Sequence, residues 1–586
     1  MPNTWQDIAV RKQKERTGRI PTGWLLSADV LKEAGNKTSV LDMPRKSGLL
    51  SNDELCITED YDATALVAEL GSGRLSSVDV INAFSKRAAI AQQLVNCLTE
   101  TFFNDALARA QFLDDHLKRT GKPIGPLHGL PISLKDTFKV KGYDASVGCA
   151  AFCFKPAMQN SALVDLLFKL GAILYCKTNV PLTMMALDSH NNVFGRTLNP
   201  ANMRLTAGGS SGGEGALLAL QGSILGIGTD VGGSIRIPAM CNGLVGVKPS
   251  HGRVPYAGQE GGMPAGSSKL GIEATAGPIA RSVRDCELLL SAIGNGRPEL
   301  FDADVIAQTW EQQTSLRKSP TTRAQKPLRV GIVRTDGHVM PLPPIQRLLD
   351  DVANILRSPA LPSWSPIEVV EVDITDFGPQ VLKVFNGVMS IDGGNAWFDN
   401  IEATGEPLSP WLSTRLRRRP TKPLDEVRKL QAQKLELQMR FQDVWRESGG
   451  YWGSKDSKAK KGDKELDIII CPIAPHPVPL IDTFNSTNYT SAFNLLDVAA
   501  GVLPVRTFTE ADTHSENGNS KPLNGWDKIN RELWNGDRRS FVGGSMSIQV
   551  LVPRLMERKL IESMAVLEKA LEPLRGNDGK AERSRL

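Results

Sequence analysis

Among 586 residues there are only seven histidines and eight cysteines, and neither type is grouped. No histidines stand as HxH or HxxxH and no cysteines as CxxC, which argues against a histidine-built metal centre and a disulfide scaffold. The cysteines, at 56, 97, 149, 153, 176, 241, 286 and 471, read as free thiols of a reducing compartment. Neither sign of charge dominates: 69 Lys+Arg against 64 Asp+Glu leaves +5, too sparse for a nucleic-acid coat or a membrane-surface protein. Long hydrophobic runs are missing as well. The longest uncharged apolar stretch, Gly215 to Thr229, holds four glycines and is too short to span a bilayer. Met1 to Lys14 is polar and charged, without the apolar core of a signal peptide. The expectation is a soluble intracellular protein with no membrane span and no nucleic-acid partner.

What is present is ordinary globular composition, 41% hydrophobic and 23% charged. The length suits two to four units, or one large core with insertions. Residues 1–60 read as a partly helical extension in which Trp5, Ile8 and Val10 line one helix face. Ser76 to Asp79 has the capping-box spacing, and Val80, Ile81, Phe84, Ala88 and Ala91 then recur at helical steps. Short apolar runs at 131–134, 172–175, 225–228, 328–333 and 467–470 read as buried strands. Helical patterns at 283–292, 345–356, 424–447 and 554–571 alternate with them. This alternation predicts an α/β fold: a single large domain, 61–572, with a mixed, mainly parallel β-sheet flanked by α-helices. Polar surface insertions are expected near 453–465 and 509–530, and a mobile charged tail over 573–586. Arg415 and Arg417 to Arg419 lack interleaved aromatics and read as a solvated helix end. The final tripeptide, Ser584-Arg585-Leu586, differs from the Ser-Lys-Leu peroxisomal address by one basic residue. Used as an address it would make an import receptor a partner and place the chain in peroxisomes; as a chance tripeptide it leaves a cytoplasmic location.

The chemistry concentrates in two glycine- and serine-rich loops, Gly208-Gly209-Ser210-Ser211-Gly212-Gly213 and Asp230-Val231-Gly232-Gly233-Ser234-Ile235-Arg236. One reading is a phosphate cradle, hence a non-enzymatic nucleotide-binding protein, but the Gly-Lys-Ser/Thr ending and the G-x-G-x-x-G spacing are both missing. The other reading is acyl transfer, with serine as nucleophile and glycines letting backbone N–H groups approach an oxyanion. His128 and His251 lack the G-x-S-x-G elbow and the order of a serine–histidine–acid triad. A lysine with a lowered pKa can serve as base instead. The candidate is Lys135, ending the apolar run Leu130 to Leu134; its alternative is an exposed strand-end lysine beside Asp136.

Lys135 in that setting and the two loops, in that order, closely resemble the amidase signature family, and within it the fungal acetamidase or general amidase branch. Gly246-Val247-Lys248-Pro249-Ser250 and Gly252-Arg253-Val254-Pro255 continue the pattern, which spans roughly 60 to 570 and is densest over 125–260. The resemblance implies hydrolysis of a carboxamide to acid plus ammonia or amine, without metal or cofactor, on small aliphatic or general amides. It implies a Ser–Ser–Lys triad: Ser234 the nucleophile, Ser210 the proton bridge after a cis peptide at Gly209–Ser210, Lys135 the base. It assigns the backbone N–H groups of Val231, Gly232, Gly233 and Ser234 to an oxyanion hole. Ser211 would hydrogen-bond within the site in support of Lys135 or Ser210, and Asp230 and Arg236 would hold the loop. Arg236 would also add positive charge that depresses Lys135. Met184 matches a substrate-pocket position, with a core methionine as its alternative, and Cys241 reads as a buried filler. The loop 143–149 and the strand near 541–550 depart from the family pattern, which leaves substrate range open. A homodimer is compatible with this reading. So is an A-type glutamine amidotransferase subunit, which would need partner subunits.

Overall fold

The computed structural model describes residues 4–264, 266–316, 327–359, 366–446, 465–516, 518 and 520–575. The strands are β1 (Leu98–Thr101), β2 (Pro131–Lys135), β3 (Ile173–Thr178), β4 (His190–Asn191), β5 (Gly195–Arg196), β6 (Leu225–Asp230) and β7 (Val245–Lys248). They continue with β8 (Thr275–Ala280), β9 (Leu328–Val333), β10 (Ile367–Val372), β11 (Ile468–Cys471), β12 (Ala499–Thr507) and β13 (Ser545–Val552). Eleven of them form one mixed sheet in the order β1-β3-β2-β6-β8-β7-β12-β13-β11-β9-β10, while β4 and β5 pair separately. The parallel pairs expected from the strand–helix alternation sit towards the two ends, in β3-β2-β6 and β11-β9-β10. The middle of the sheet, from β6 across to β11, is antiparallel, as is β1 on β3.

Helices cover both faces of the sheet, and the side-chain alternation of a strand shows it directly. In β11, Ile468 and Ile470 join one apolar cluster and Ile469 and Cys471 the other. The first cluster is completed by the helices Pro343–Leu356 and Glu557–Ala570. The second is completed by Phe377–Met389, Leu424–Arg446 and Asn488–Leu495, whose Phe377, Phe441 and Phe493 meet ring to ring. Strands buried on both sides need apolar residues at consecutive positions, which is why 468–471 reads as an unbroken run and 328–333 as one interrupted only by Arg329.

The N-terminal extension packs onto the sheet. Its first helix, Trp5–Gly18, starts at a capping box between Thr4 and Asp7. Trp5 and Ile8 pack on the cluster of Ala150, Cys153, Val193 and Phe194, but Val10 is 67% exposed, contrary to the expected face. The buried face runs instead through Ala9, Lys12 and Arg16. Lys12 Nζ pairs with Asp144 at 2.7 Å and with Glu100, and Arg16 Nη1 donates to the Leu98 carbonyl at 2.8 Å. Burial alone would lower the Lys12 pKa; Glu100 and Asp144 outweigh it and raise it. A hydropathy pattern that counts only apolar residues misses such a face.

Within 509–530, where a polar surface insertion is expected, described residues form helical segments. Thr509 and Asp512 cap a short turn of helix over Glu510–His514, and Gly525–Trp534 is helical. Asp527 and Asn530 are fully buried because they bind the backbone N–H and C=O of Met340. Of 453–465 only Glu465 is described. The tail beyond Arg575, with Ser584, Arg585 and Leu586, lies outside the described residues. Among the described residues no helix is long and apolar enough to cross a membrane.

Lys12→Ala leaves Glu100 and Asp144 buried beside an empty place, a loss of about 3–5 kcal/mol for a buried pair stripped of one partner. The expected outcome is a lower thermal midpoint, with accelerated hydrogen exchange first in residues 5–18.

Candidate active site

Parallel pairing of β2 with β6 sets the site's frame, because Ser133 pairs with Gly226 and Leu134 with Ile227. The two strands therefore end side by side, one in Lys135 and the other in Thr229 and Asp230. The Gly208–Ser211 loop crosses these ends with a cis peptide at Gly209–Ser210. Glycine is needed at 209 for close approach, since a Cβ there would fall 2.3 Å from the Ala186 carbonyl oxygen. The Ser211 N–H donates to the Ser234 carbonyl at 3.2 Å and ties the two serine loops together.

Lys135 is buried at the end of its strand, as is Asp136, so the alternative of a solvated strand-end lysine does not describe it. The two neighbouring buried lysines differ in their company. Lys177 on β3 pairs with Asp136 at 3.2 Å, whereas Lys135 forms no ion pair among the described residues. Lys135 Nζ lies 2.7 Å from Ser210 Oγ, 2.8 Å from Thr229 Oγ1 and 3.3 Å from the Thr229 carbonyl. A neutral amine has two N–H bonds and one lone pair. In that form the two Thr229 acceptors take the N–H bonds and the lone pair is left for the Ser210 hydroxyl; a protonated lysine would donate to all three oxygens. Burial pushes the Lys135 pKa down to about 7, against the opposing charges of Asp230 and Glu214. Burial is the first cause of the shift, and Arg236, expected to depress Lys135 by its own charge, is paired with Asp230. Thr229 was not singled out from the sequence. It stands one residue before Asp230 in the second motif, and only the strand-end register turns it towards Lys135.

The turn from Val231 to Ser234 is organised by a buried carboxylate. Asp230 accepts from the backbone N–H groups of Gly233 at 2.7 Å and Ile235 at 3.0 Å. It also takes a two-point contact from Arg236, Nε at 3.1 Å and Nη2 at 3.0 Å. Burial would raise the Asp230 pKa, but the Arg236 charge outweighs it and holds the carboxyl far below the usual range. Arg236 reaches on to Asn494 and to Gln549 Oε1, the latter at 2.7 Å, so elements from the C-terminal half brace the turn. Gly233 sits at φ 128°, and a Cβ there would fall 2.4 Å from Thr490 Oγ1.

Of the four backbone donors expected to meet an oxyanion, the Gly233 N–H is thus already taken by Asp230. Those of Val231, Gly232 and Ser234 donate to no described group. Ser234 is 8% exposed against 1% for Lys135 and Ser210, so of the three it stands nearest the surface. Its hydroxyl forms no hydrogen bond with a described residue, Ser210 included. The structure therefore joins Lys135 to Ser210 through side chains, and Ser234 to that loop through backbone.

Ser211 departs from expectation. Its hydroxyl is buried without a partner among the described residues, and its contribution comes through its N–H. Met184 is half-buried at φ 58° and packs on the cluster of Val147, Cys149, Leu182, Trp397, Ile401 and Leu412. Cys241 is a buried thiol whose sulfur would lie 3.1 Å from a Cβ at Gly208. The histidines near the motifs are occupied elsewhere: His128 Nδ1 accepts the Ile124 N–H, and His251 pairs with Glu273.

The chain matches the family described as Amidase over residues 79–561. It is 37% identical over 564 residues to the acetamidase of Emericella nidulans, covering 96% of this chain and 97% of that one. The acetamidase of Aspergillus oryzae is also 37% identical, over 566 residues, with 96% and 98% covered. Among solved structures, fatty acid amide hydrolase superposes with a TM-score of 0.82 at 29% identity, covering 97% of this chain and 95% of that one.

Asp230→Asn keeps the shape of the turn and strands the Arg236 guanidinium, at a cost of about 3–5 kcal/mol. A drop in thermal midpoint with faster exchange of the Gly233 and Ile235 amides is expected. Unchanged exchange would mean that the carboxylate does not hold the turn.

Proposed function

The chain belongs to the amidase signature family and is an amide-hydrolysing enzyme, and from that premise we propose how its residues cleave a carboxamide to acid plus ammonia or amine. The observation that carries the proposal is a buried lysine with no counter-ion, its amine 2.7 Å from the Ser210 hydroxyl. Ser234 turns about its Cα–Cβ bond to meet Ser210, and its Oγ attacks the amide carbonyl. Its proton passes to Ser210 as the Ser210 proton passes to the neutral Lys135 amine. The carbonyl oxygen becomes an oxyanion facing the Val231, Gly232 and Ser234 N–H groups; one lost donor of this kind costs roughly 3–4 kcal/mol of transition-state stabilisation.

The tetrahedral adduct collapses by breaking the C–N bond. Ser210 protonates the departing nitrogen and recovers a proton from the Lys135 ammonium. Water then attacks the Ser234 ester, passes a proton back along the same path and releases the acid. No step calls on a metal or organic cofactor. The resemblance to the two acetamidases supports small aliphatic amides as substrates, with Met184 at a pocket position or, as its packing also allows, in the core.

On a panel from acetamide to long-chain and aryl amides, wild type is expected to turn over the small aliphatic members without ATP or partner subunits. Ser234→Ala should abolish turnover on all of them. A requirement for partner subunits would point instead to an amidotransferase-type assembly.

The pH dependence follows from the base. Lys135 acts as the uncharged amine, so kcat/KM should fall as pH drops below about 7 and level off above it. Lys135→Ala should lose most activity, with its residual rate least impaired at high pH. Turnover at the wild-type level in that variant at neutral pH would rule the base assignment out.

A further inference from the structure

Glu214 is fully buried four residues beyond Ser210, in the helix Gly212–Ala219, and the mechanism above does not use it. Its carboxyl lies between the lysine's strand and its neighbour. Oε2 is 2.6 Å from Ser133 Oγ, two residues before Lys135 on β2. Oε1 is 2.9 Å from Oγ1 of Thr178, the cross-strand partner of Lys135 on β3. The space is closed, since a Cβ at Gly226 would fall 2.2 Å from Oε2.

Counting hydrogens shows the carboxyl's state. Ser133 Oγ is also 2.9 Å from Ser223 Oγ, which is 3.0 Å from the Leu225 carbonyl oxygen. The line Glu214–Ser133–Ser223–Leu225 has three oxygen–oxygen contacts, two serine protons, and a last member that only accepts. A carboxylate would leave one contact with two oxygens and no hydrogen between them. A carboxylic acid fills all three: Glu214 donates to Ser133, Ser133 to Ser223, and Ser223 to Leu225. Thr178 donates to the other carboxyl oxygen.

We propose that Glu214 is a positioning residue held as a neutral carboxylic acid by this hydrogen-bonded line, so that no uncompensated anion stands beside Lys135. The charges around the lysine bear this out. Two carboxyls act on it, Asp230 and Glu214. Asp230 is compensated by Arg236. Glu214 forms no ion pair among the described residues, and the other titratable groups near it, Cys97, Cys176 and Tyr175, are buried and held neutral. Burial raises the Glu214 pKa to about 8, against the lowering pull of Ser133, Thr178 and Lys135. An ionised Glu214 would favour the protonated form of Lys135 and raise its pKa.

The inference rests on Lys135 being the base, and its test is separable from that reading. Glu214→Ala leaves Ser133 and Thr178 without their partner and should lower kcat/KM roughly tenfold or more. Glu214→Gln, which donates and accepts where the acid does, should rescue it, with the acid limb of the pH profile at its wild-type midpoint. An ionised Glu214 predicts the opposite, a Gln variant whose limb moves to lower pH by about one unit or more. That shift would overturn the proposal while leaving the lysine assignment intact. Infrared spectra of wild-type protein carrying isotope-labelled glutamate need no variant. They should show a protonated-carboxyl band at neutral pH, and its absence would overturn the proposal even if neither variant folds.

Discussion

An amine without a counter-ion inside a protein is the constraint around which the rest is arranged. Water would protonate Lys135 at neutral pH, and a nearby carboxylate would do so more firmly. The structure withholds both. The lysine ends a strand whose neighbours are buried, Asp136 is turned to Lys177, and Asp230 is paired with Arg236. Burial that is normally a cost to stability is here what lowers the Lys135 pKa.

The same residue types do different work a few ångströms apart. Lys12 and Lys177 are paired, and they serve cohesion, one clamping the N-terminal helix and the other the strand ends. Lys135 differs only in what surrounds it. Asp230 and Glu214 form a similar contrast: a carboxylate beside a guanidinium and backbone N–H groups, and a carboxyl among the hydroxyls of Ser133 and Thr178. Neighbour chemistry, more than residue identity, assigns charge in this interior.

Much of this was legible in the chain itself. The unbroken apolar runs became strands at the expected places, and the two serine loops and the lysine converge as their order implied. Contact across the sheet was not legible. Thr229 and Glu214 sit inside the quoted motifs or next to them, yet their part depends on which strands are adjacent, a long-range property. The same holds for the first helix, where the buried face runs through Lys12 and Arg16 and the apolar Val10 faces out. It holds too for Asp527 and Asn530, whose side chains bind the backbone of Met340. The sheet's directions likewise depend on which strands meet: only β3-β2-β6 and β11-β9-β10 are parallel, and the edge pair β1-β3 and the middle are antiparallel.

The reach of Arg236 to Asn494 and Gln549 has a consequence for how such chains can be recombined. Every residue assigned to bond cleavage lies between positions 135 and 234, so that stretch looks like a portable cassette. It is not one, because the guanidinium at its end finds two of its three partners more than 250 positions downstream. A chimera that exchanges the front half of this chain with that of a relative inherits a charge whose sockets belong to the other parent. Such hybrids should tolerate a crossover only where the receiving half brings matching amide side chains.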